Sequence, residues 1–193
     1  MTTFKKFLAA LMMAASAQVF AVPTLSVSTA QTPVAVGSNF DLSVLISGIT
    51  NLYTYQFTVS YDPALLQANG VTQGAFLATA GATFGDTGAI DDATGTISFI
   101  YNSLIGPNAG AAGSGSLALI NFAALGQGMA ALTFSDLLFL DADGNDIAVT
   151  VNAASVQIGD APTGVPEPAS MLLLGAGLVA VGAARRRRAA LHA

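Results

Sequence analysis

The 193-residue chain has no cysteine and no tryptophan, and its one histidine is His192, next to the C-terminus. Six lysines and arginines occur in all, and none of them lies between residues 22 and 164. Each absence removes a class of function. Without cysteine an exported chain has no disulfide framework, so its fold must be stabilised by its own core. With no histidine or cysteine in the body, neither a Cys-His nor a Ser-His-Asp arrangement can be built there, and the usual zinc sites are excluded. With no cation the body cannot neutralise phosphates, which excludes nucleic-acid binding. Residues 22–164 hold ten aspartates and no glutamate, a formal charge of −10 against −5 for the whole chain. Anionic lipid or polyanionic polysaccharide is repelled by such a body unless divalent cations bridge the charges.

The cations belong to the two ends. Lys5 and Lys6 precede an apolar stretch over residues 7–17, with small residues at Val19 and Ala21. Charge, length and cleavage chemistry make residues 1–21 a secretory signal peptide, cut after Ala21 with Ala17 as the second choice. At the other end Val165, Pro166, Glu167 and Pro168 precede an apolar run over 171–184, which Arg185, Arg186, Arg187 and Arg188 close. The run reads as one transmembrane helix and the arginines as its cytoplasmic stop. A helix over 171–184 rises only about 21 Å, less than the ~30 Å hydrocarbon core, so it is a marginal permanent anchor. An ordinary tail anchor of that length needs local thinning of the bilayer or flanking residues that reach the interface.

This ending, in its order, resembles the PEP-CTERM sorting signal of Gram-negative bacteria. The resemblance implies an exosortase as processing partner, cleavage near Pro166, Glu167 and Pro168, and residence in the inner membrane before cleavage. Delivery to the cell surface or an extracellular matrix follows. Residues 160–170 are then a linker with the motif, and 185–193 a cytoplasmic tail.

Residues 22–159 suffice for one domain, since a chain of this size buries roughly 68–70% of its unfolded surface. Their pattern is apolar and polar alternation punctuated by Gly, Asn, Asp and Pro. In residues 52–61, Tyr53, Tyr55, Phe57, Val59 and Tyr61 share one face, with Thr54, Gln56, Thr58 and Ser60 on the other. A period of two is a half-buried strand. Phe40, Leu42, Val44 and Ile46 repeat the pattern before it, and Ile97, Phe99 and Tyr101 after it. Leu25 with Val27 gives a first strand, residues 117–123 a central one, and Val149, Val151, Val156 and Ile158 the closing segments. Many short strands with turn residues between them predict an all-β sandwich. Asp62-Pro63 ends the long strand. The Gly-rich stretch 74–92 predicts a surface loop with a short helical turn, and 106–115 a mobile connection.

Polar clusters are few. Asp91 and Asp92 are the obvious carboxylate pair for glycoside hydrolysis, but neighbours on a strand point to opposite faces and the pair precedes Gly95, so they read as solvated turn acids. Asp141, Asp143 and Asn145 place oxygen ligands at alternating positions, a weak calcium candidate resembling the opening of an EF-hand loop. Asp146 stands where that loop requires glycine and Asn152 where it requires glutamate, so a true EF-hand is excluded. The competing reading is a tight Asp-Gly hairpin turn between 137–140 and 147–151. Tyr53, Tyr55 and Tyr61 share their strand face with Phe57 and Val59, which makes them core residues whose hydroxyls need partners, not a polysaccharide platform.

The succession of Val36-Gly37, residues 52–57 leading into Tyr61-Asp62-Pro63-Ala64-Leu65-Leu66, Gly74-Ala75-Phe76-Leu77, Gly95 to Phe99, 115–122 and 141–147 resembles a cohesin domain. The resemblance implies a jelly-roll β-sandwich of about nine strands, related to carbohydrate-binding modules. It also implies noncovalent binding, as cohesins of cellulosomes bind dockerins. No contact residue can be carried over, and the ligand-binding residues stay unassigned. The expectation is an exported, non-enzymatic module without a cofactor, structural calcium apart, that binds an extracellular protein or polysaccharide. The alternative is a structural acidic component of an exopolymer or biofilm matrix with no specific partner.

Overall fold

The computed structural model describes residues 22–159. The signal peptide of 1–21, the linker and motif of 160–170, the apolar run of 171–184 and the arginine tail of 185–193 lie outside the described residues.

Ten strands and one 3-10 turn make up the domain: β1 Thr24–Thr29, β2 Asn39–Tyr61, β3 Leu66–Gln73, the turn Leu77–Thr79, β4 Thr83–Asp86, β5 Ala89–Asp91, β6 Thr96–Leu104, β7 Ala111–Ala124, β8 Gly128–Asp141, β9 Thr150–Val151 and β10 Ala154–Ile158. The organising element is β2, whose 23 residues serve both layers of the sandwich. Its first half lies between β1 and β7, and β9 and β3 extend that layer. Its second half lies between β6 and β8, with β10 beyond β8 and both β4 and β5 on the far edge of β6. The sequence pattern predicts two strands here. The structure has one, bent where Gly48 and Asn51 take φ of +71° and +58° and the pairing with β7 slips. Glycine and asparagine are the residues that enter this region most readily, and the Asn51 side chain accepts the Gly110 amide at 3.1 Å.

The core is the set of inward faces. Phe40, Leu42, Val44 and Ile46 from the first half of β2 meet Tyr55, Phe57, Val59 and Tyr61 from the second, all buried as the alternation predicts. Phe122 of β7 ties the two halves together, its ring 5.9 Å from Phe40 and 5.1 Å from Tyr61. Phe57 stacks on Tyr55 at 5.9 Å and meets Phe134 edge-on at 5.8 Å. With no disulfide in the chain, stability rests on such contacts, each fully buried large side chain contributing about 1.5–3 kcal/mol. The domain closes on itself where Val34 donates to the Gln157 carbonyl and accepts from the Gly159 amide, both at 2.9 Å.

Three expectations need correction. The stretch 74–92 contains the predicted helical turn but also two edge strands, β4 and β5, too short for a period to show. The stretch 106–115 is not wholly a connection, because β7 begins at Ala111 and pairs with Leu52 of β2; glycine is required beside it, since a Cβ on Gly110 would stand 2.2 Å from the Asn51 carbonyl carbon. Finally, Ile97, Phe99 and Tyr101 do not share a face. A bulge inserts an extra residue between the pairs Val59↔Ile97 and Phe57↔Ile100, so Ile97 and Ile100 both point into the core and Phe99 is turned out to solvent.

Candidate functional site

The two outer faces of the sandwich differ in kind. On the β1–β2–β7–β3 layer the outward positions are mostly small or polar, with Leu45 and Leu119 half-buried among them. They include a ladder in which the Asn69 amide donates to the Asn121 side-chain oxygen at 2.9 Å and the Asn121 amide to the Asp41 carboxylate at 2.7 Å. On the other layer the outward positions carry rings. Tyr101 pairs with Gln56, which pairs with Leu138, so these three stand in one row across β6, β2 and β8. Phe84 of β4 lies edge-on to Tyr101 at 6.2 Å, and Phe99 lies 5.7 Å from it. Phe84 is 66% exposed and Phe99 54%, and Leu137 and Leu138 extend the apolar strip onto β8.

Two bulges create this strip. On one side of β2 the extra residue lies at Ser98–Phe99, and on the other β8 slips between the pairs Gln56↔Leu138 and Thr58↔Ser135, with Asp136 at φ +50°. Each bulge turns outward a side chain that plain alternation would send inward. Asp86, Asp136 and Asp146 are exposed charges beside the strip, and no side-chain cation occurs among residues 22–159. An open groove of about 460 Å³ adjoins it, between residues 137–139 of β8 and 146–149.

The polar clusters singled out in the sequence serve the fold. Asp91 accepts the amides of Ala93 and Thr94 in its own turn at 3.0 and 3.3 Å. Asp92 looks the other way. It accepts the Tyr61 hydroxyl at 2.7 Å, the Ala68 amide at 3.1 Å and the Gln67 amide at 3.4 Å, tying the turn before β6 to β2 and β3. The two carboxylates therefore do not flank a common space. The Tyr61 hydrogen bond, aided by the Ala68 and Gln67 donors, holds the Asp92 carboxyl below its ordinary value. Burial, together with the bond to and charge of Asp92, raises the Tyr61 phenol.

A carboxyl depressed in the folded state stabilises above its unfolded pKa and loses that contribution as pH falls through the folded one. Asp92→Asn is therefore expected to lower the urea midpoint at neutral pH, with the gap from the unsubstituted protein closing as pH drops below the ordinary carboxyl value of 3.8. Midpoints that differ equally at pH 7 and pH 3 would refute this.

Tyr53 donates to the Gly106 carbonyl at 2.6 Å, while the buried Tyr55 hydroxyl faces the Leu117 carbonyl and the Gln73 side-chain oxygen. Burial raises the Tyr55 phenol. The amide of Gln73 in turn holds the Asp86 and Tyr101 carbonyls at 2.7 and 3.0 Å, fixing β4 against β6. Tyr55 and Tyr61 are thus core residues with partnered hydroxyls, as the sequence suggests, whereas Tyr53 is only half-buried and packs against the core from its edge.

Asp141 lies inside the Asp-Gly turn, accepting the backbone amides of Asp143 and Asn145 at 2.9 and 2.8 Å and the Asn145 side-chain amide at 3.0 Å. These bonds hold its carboxyl below its ordinary value. Leu140 bridges Asp146, and Ile147 donates to the Phe139 carbonyl at 2.7 Å, so the tight turn forms, but the expected pairing of 147–151 with 137–140 stops there because Thr150 and Val151 pair with β1 instead. Among the described residues no group of three or more His, Cys, Asp or Glu side chains converges as a metal site. Val165, Pro166, Glu167, Pro168 and Arg185, Arg186, Arg187 and Arg188 lie outside the described residues.

Sequence reasoning missed Phe84, Phe99, Leu137 and Leu138 as surface residues. Their signal is hydrophobicity in a stretch read as loop or strand, and only the bulges decide which side they take.

Comparison with known proteins agrees with this architecture. A cohesin-domain family profile matches residues 23–158, and a profile for the PEP-CTERM protein-sorting motif matches residues 164–188. Curated proteins gave no match. Among solved structures, the second type II cohesin module of the adaptor scaffoldin ScaA of Acetivibrio cellulolyticus superposes with a TM-score of 0.60 at 20% identity, covering 77% of this chain and 96% of that one. A non-cellulosomal cohesin from the hyperthermophilic archaeon Archaeoglobus fulgidus superposes with a TM-score of 0.55 at 20% identity, covering 72% and 93%. A type I cohesin in a cohesin–dockerin complex from Clostridium thermocellum gives 0.56 at 12%, covering 72% and 99%. At these identities the superpositions speak for the fold alone, and it is the profile match over most of the chain that sets its kinship. The chain belongs to the cohesin-domain family, and a PEP-CTERM sorting motif follows its cohesin domain.

Proposed function

We propose that this protein is exported, processed by an exosortase at the PEP-CTERM motif, and displayed at the cell surface or in the extracellular matrix, where its cohesin domain binds a protein partner noncovalently. The observation that carries the binding reading is the strip on one outer face in which the exposed Phe84, Phe99 and Leu138 surround the half-buried Tyr101, opposite a face with no outward ring and mostly small or polar side chains. A few side chains, aromatic ones prominent among them, carry most of the affinity of protein interfaces. Cohesin neighbours crystallised with dockerins support a protein occupant. Two substitutions, Phe84→Asp and Leu138→Asp, are expected to reduce capture of the partner from a surface fraction at least tenfold, with the melting temperature of the Phe84 variant nearly unchanged because that side chain is 66% exposed. Undiminished capture, or capture of matrix polysaccharide in place of protein, refutes the reading. Processing is tested by the mass of the natural protein, which is expected to lack Arg185 to Arg188.

A second reading rests on charge. Residues 22–159 hold nine aspartates and no side-chain cation, which suits an acidic matrix component cross-linked by divalent ions. Under that reading deletion weakens flocculation or biofilm cohesion although no saturable partner exists.

A further inference from the structure

Phe99 combines two features that ordinarily exclude each other. Its φ is +61°, in the left-handed region, where the Cβ of an L residue crowds the following carbonyl. Its ring is more than half exposed, so little core packing offsets that strain. Among the described non-glycine residues, only Asn51, Phe99 and Asp136 have positive φ. Asn and Asp tolerate the region, and a bulky aromatic does not. The surroundings impose the conformation. On one side of β6 the pairs Val59↔Ile97 and Phe57↔Ile100 fix the strand to β2, and on the other Ser98 pairs with Ala89 of β5. The Phe99 amide is left to the Thr58 hydroxyl at 3.4 Å. Without the extra residue, the alternation that buries Ile97 would send Phe99 to the core side as well.

We propose that this bulge serves to present the Phe99 ring as the central contact of the binding face, and that the ring is kept there at a cost in stability which glycine would remove. The proposal rests on the protein-binding reading of the face. The partner that fits is a protein surface whose apolar side chains are flanked by lysine or arginine. Asp86 of β4 pairs with Tyr101, Asp136 lies in the β8 bulge next to Leu137, both carboxylates are exposed, and residues 22–159 offer no cation of their own to pair with them. Strain of this kind, held in place by surrounding pairing, is where functional side chains are found.

The test compares the purified full chain with Phe99→Ala and Phe99→Gly. In an ordinary strand glycine is the less stable of the two. Here the order is expected to invert, with the glycine variant melting about 2–4 °C above the alanine variant. Both variants are expected to lose at least tenfold in capture of the surface-fraction partner, and Ser43→Ala on the opposite face is expected to lose none. An alanine variant that melts at or above the glycine variant overturns the strain, and a glycine variant that captures as well as the unsubstituted chain overturns the anchor role. If the unsubstituted chain captures no protein, the binding reading itself fails and the anchor role with it, while the melting order still decides separately whether the backbone is strained.

Discussion

Phe57→Ala is expected to destabilise the domain by about 3–5 kcal/mol, the usual cost of truncating a fully buried aromatic. Phe57 has no exposed surface, stacks on Tyr55 and takes Phe134 edge-on, so its removal opens a cavity under both rings. The surroundings cannot collapse easily, because β2 is paired on both sides at this point, to Ile100 of β6 and, through the neighbouring Gln56, to Leu138 of β8. A single domain is commonly stable by only about 5–15 kcal/mol. The loss is therefore a large part of the margin of a fold with no disulfide to fall back on. Urea unfolding followed by tyrosine fluorescence measures it, and an unfolding free energy within about 0.5 kcal/mol of the unsubstituted chain's, well below the usual range for such a truncation, would show that Phe57 does not carry the core.

Gly95→Ala is expected to be of similar severity although it adds one methyl group. Gly95 has φ +66°, and a Cβ there would stand 2.2 Å from the Tyr61 carbonyl oxygen and 2.8 Å from Pro63 Cδ. Backbone and proline ring cannot rotate away. The Gly95 carbonyl also accepts the Tyr61 amide at 2.8 Å, so any shift that relieves the clash breaks the bond that ends β2. Left-handed strain of about 1–2 kcal/mol adds to the overlap, and a total of about 3 kcal/mol or more is expected, in the range reserved for named structural faults. Gly144→Ala is the control, since its φ of +83° carries the strain while nothing lies within 4 Å of its Cβ. Equal losses at the two positions would show that conformation, not contact, is what Gly95 supplies.

These two residues illustrate what could be read in advance. The face of Tyr53, Tyr55, Phe57, Val59 and Tyr61 was legible because alternation over ten positions has one interpretation, and the structure buries Tyr55, Phe57, Val59 and Tyr61. The Asp141 turn was legible because Asp-Gly chemistry is local, and the bonds from Asp143 and Asn145 close within five residues. Gly95 was visible as part of a motif, but not its reason, since the carbonyl it accommodates belongs to Tyr61 on another strand. The candidate binding face was the least legible part. A period of two says which residues share a face only while the register holds, and the register fails at Phe99 and at Asp136, where each bulge depends on the neighbouring strand. β4 and β5 were hidden for a related reason: they are too short to have a period, and their pairing to β6 defines them.

The sharing of β2 between the two layers has a mechanical consequence for the domain under load. A pull between a partner on the outer face and the chain's exit beyond Gly159 passes from β6 through β2 and β8 to β10, all within one layer. The last link in that load path is five residue pairs wide, from Ala154↔Leu132 to Ile158↔Gly128. Val34 grips the same end of β10 through its amide and carbonyl, diverting part of the force into the segment between β1 and β2. Tension then converges on β2 from both layers, and the strand with the most partners becomes the beam that sets how large a force the domain bears before it yields.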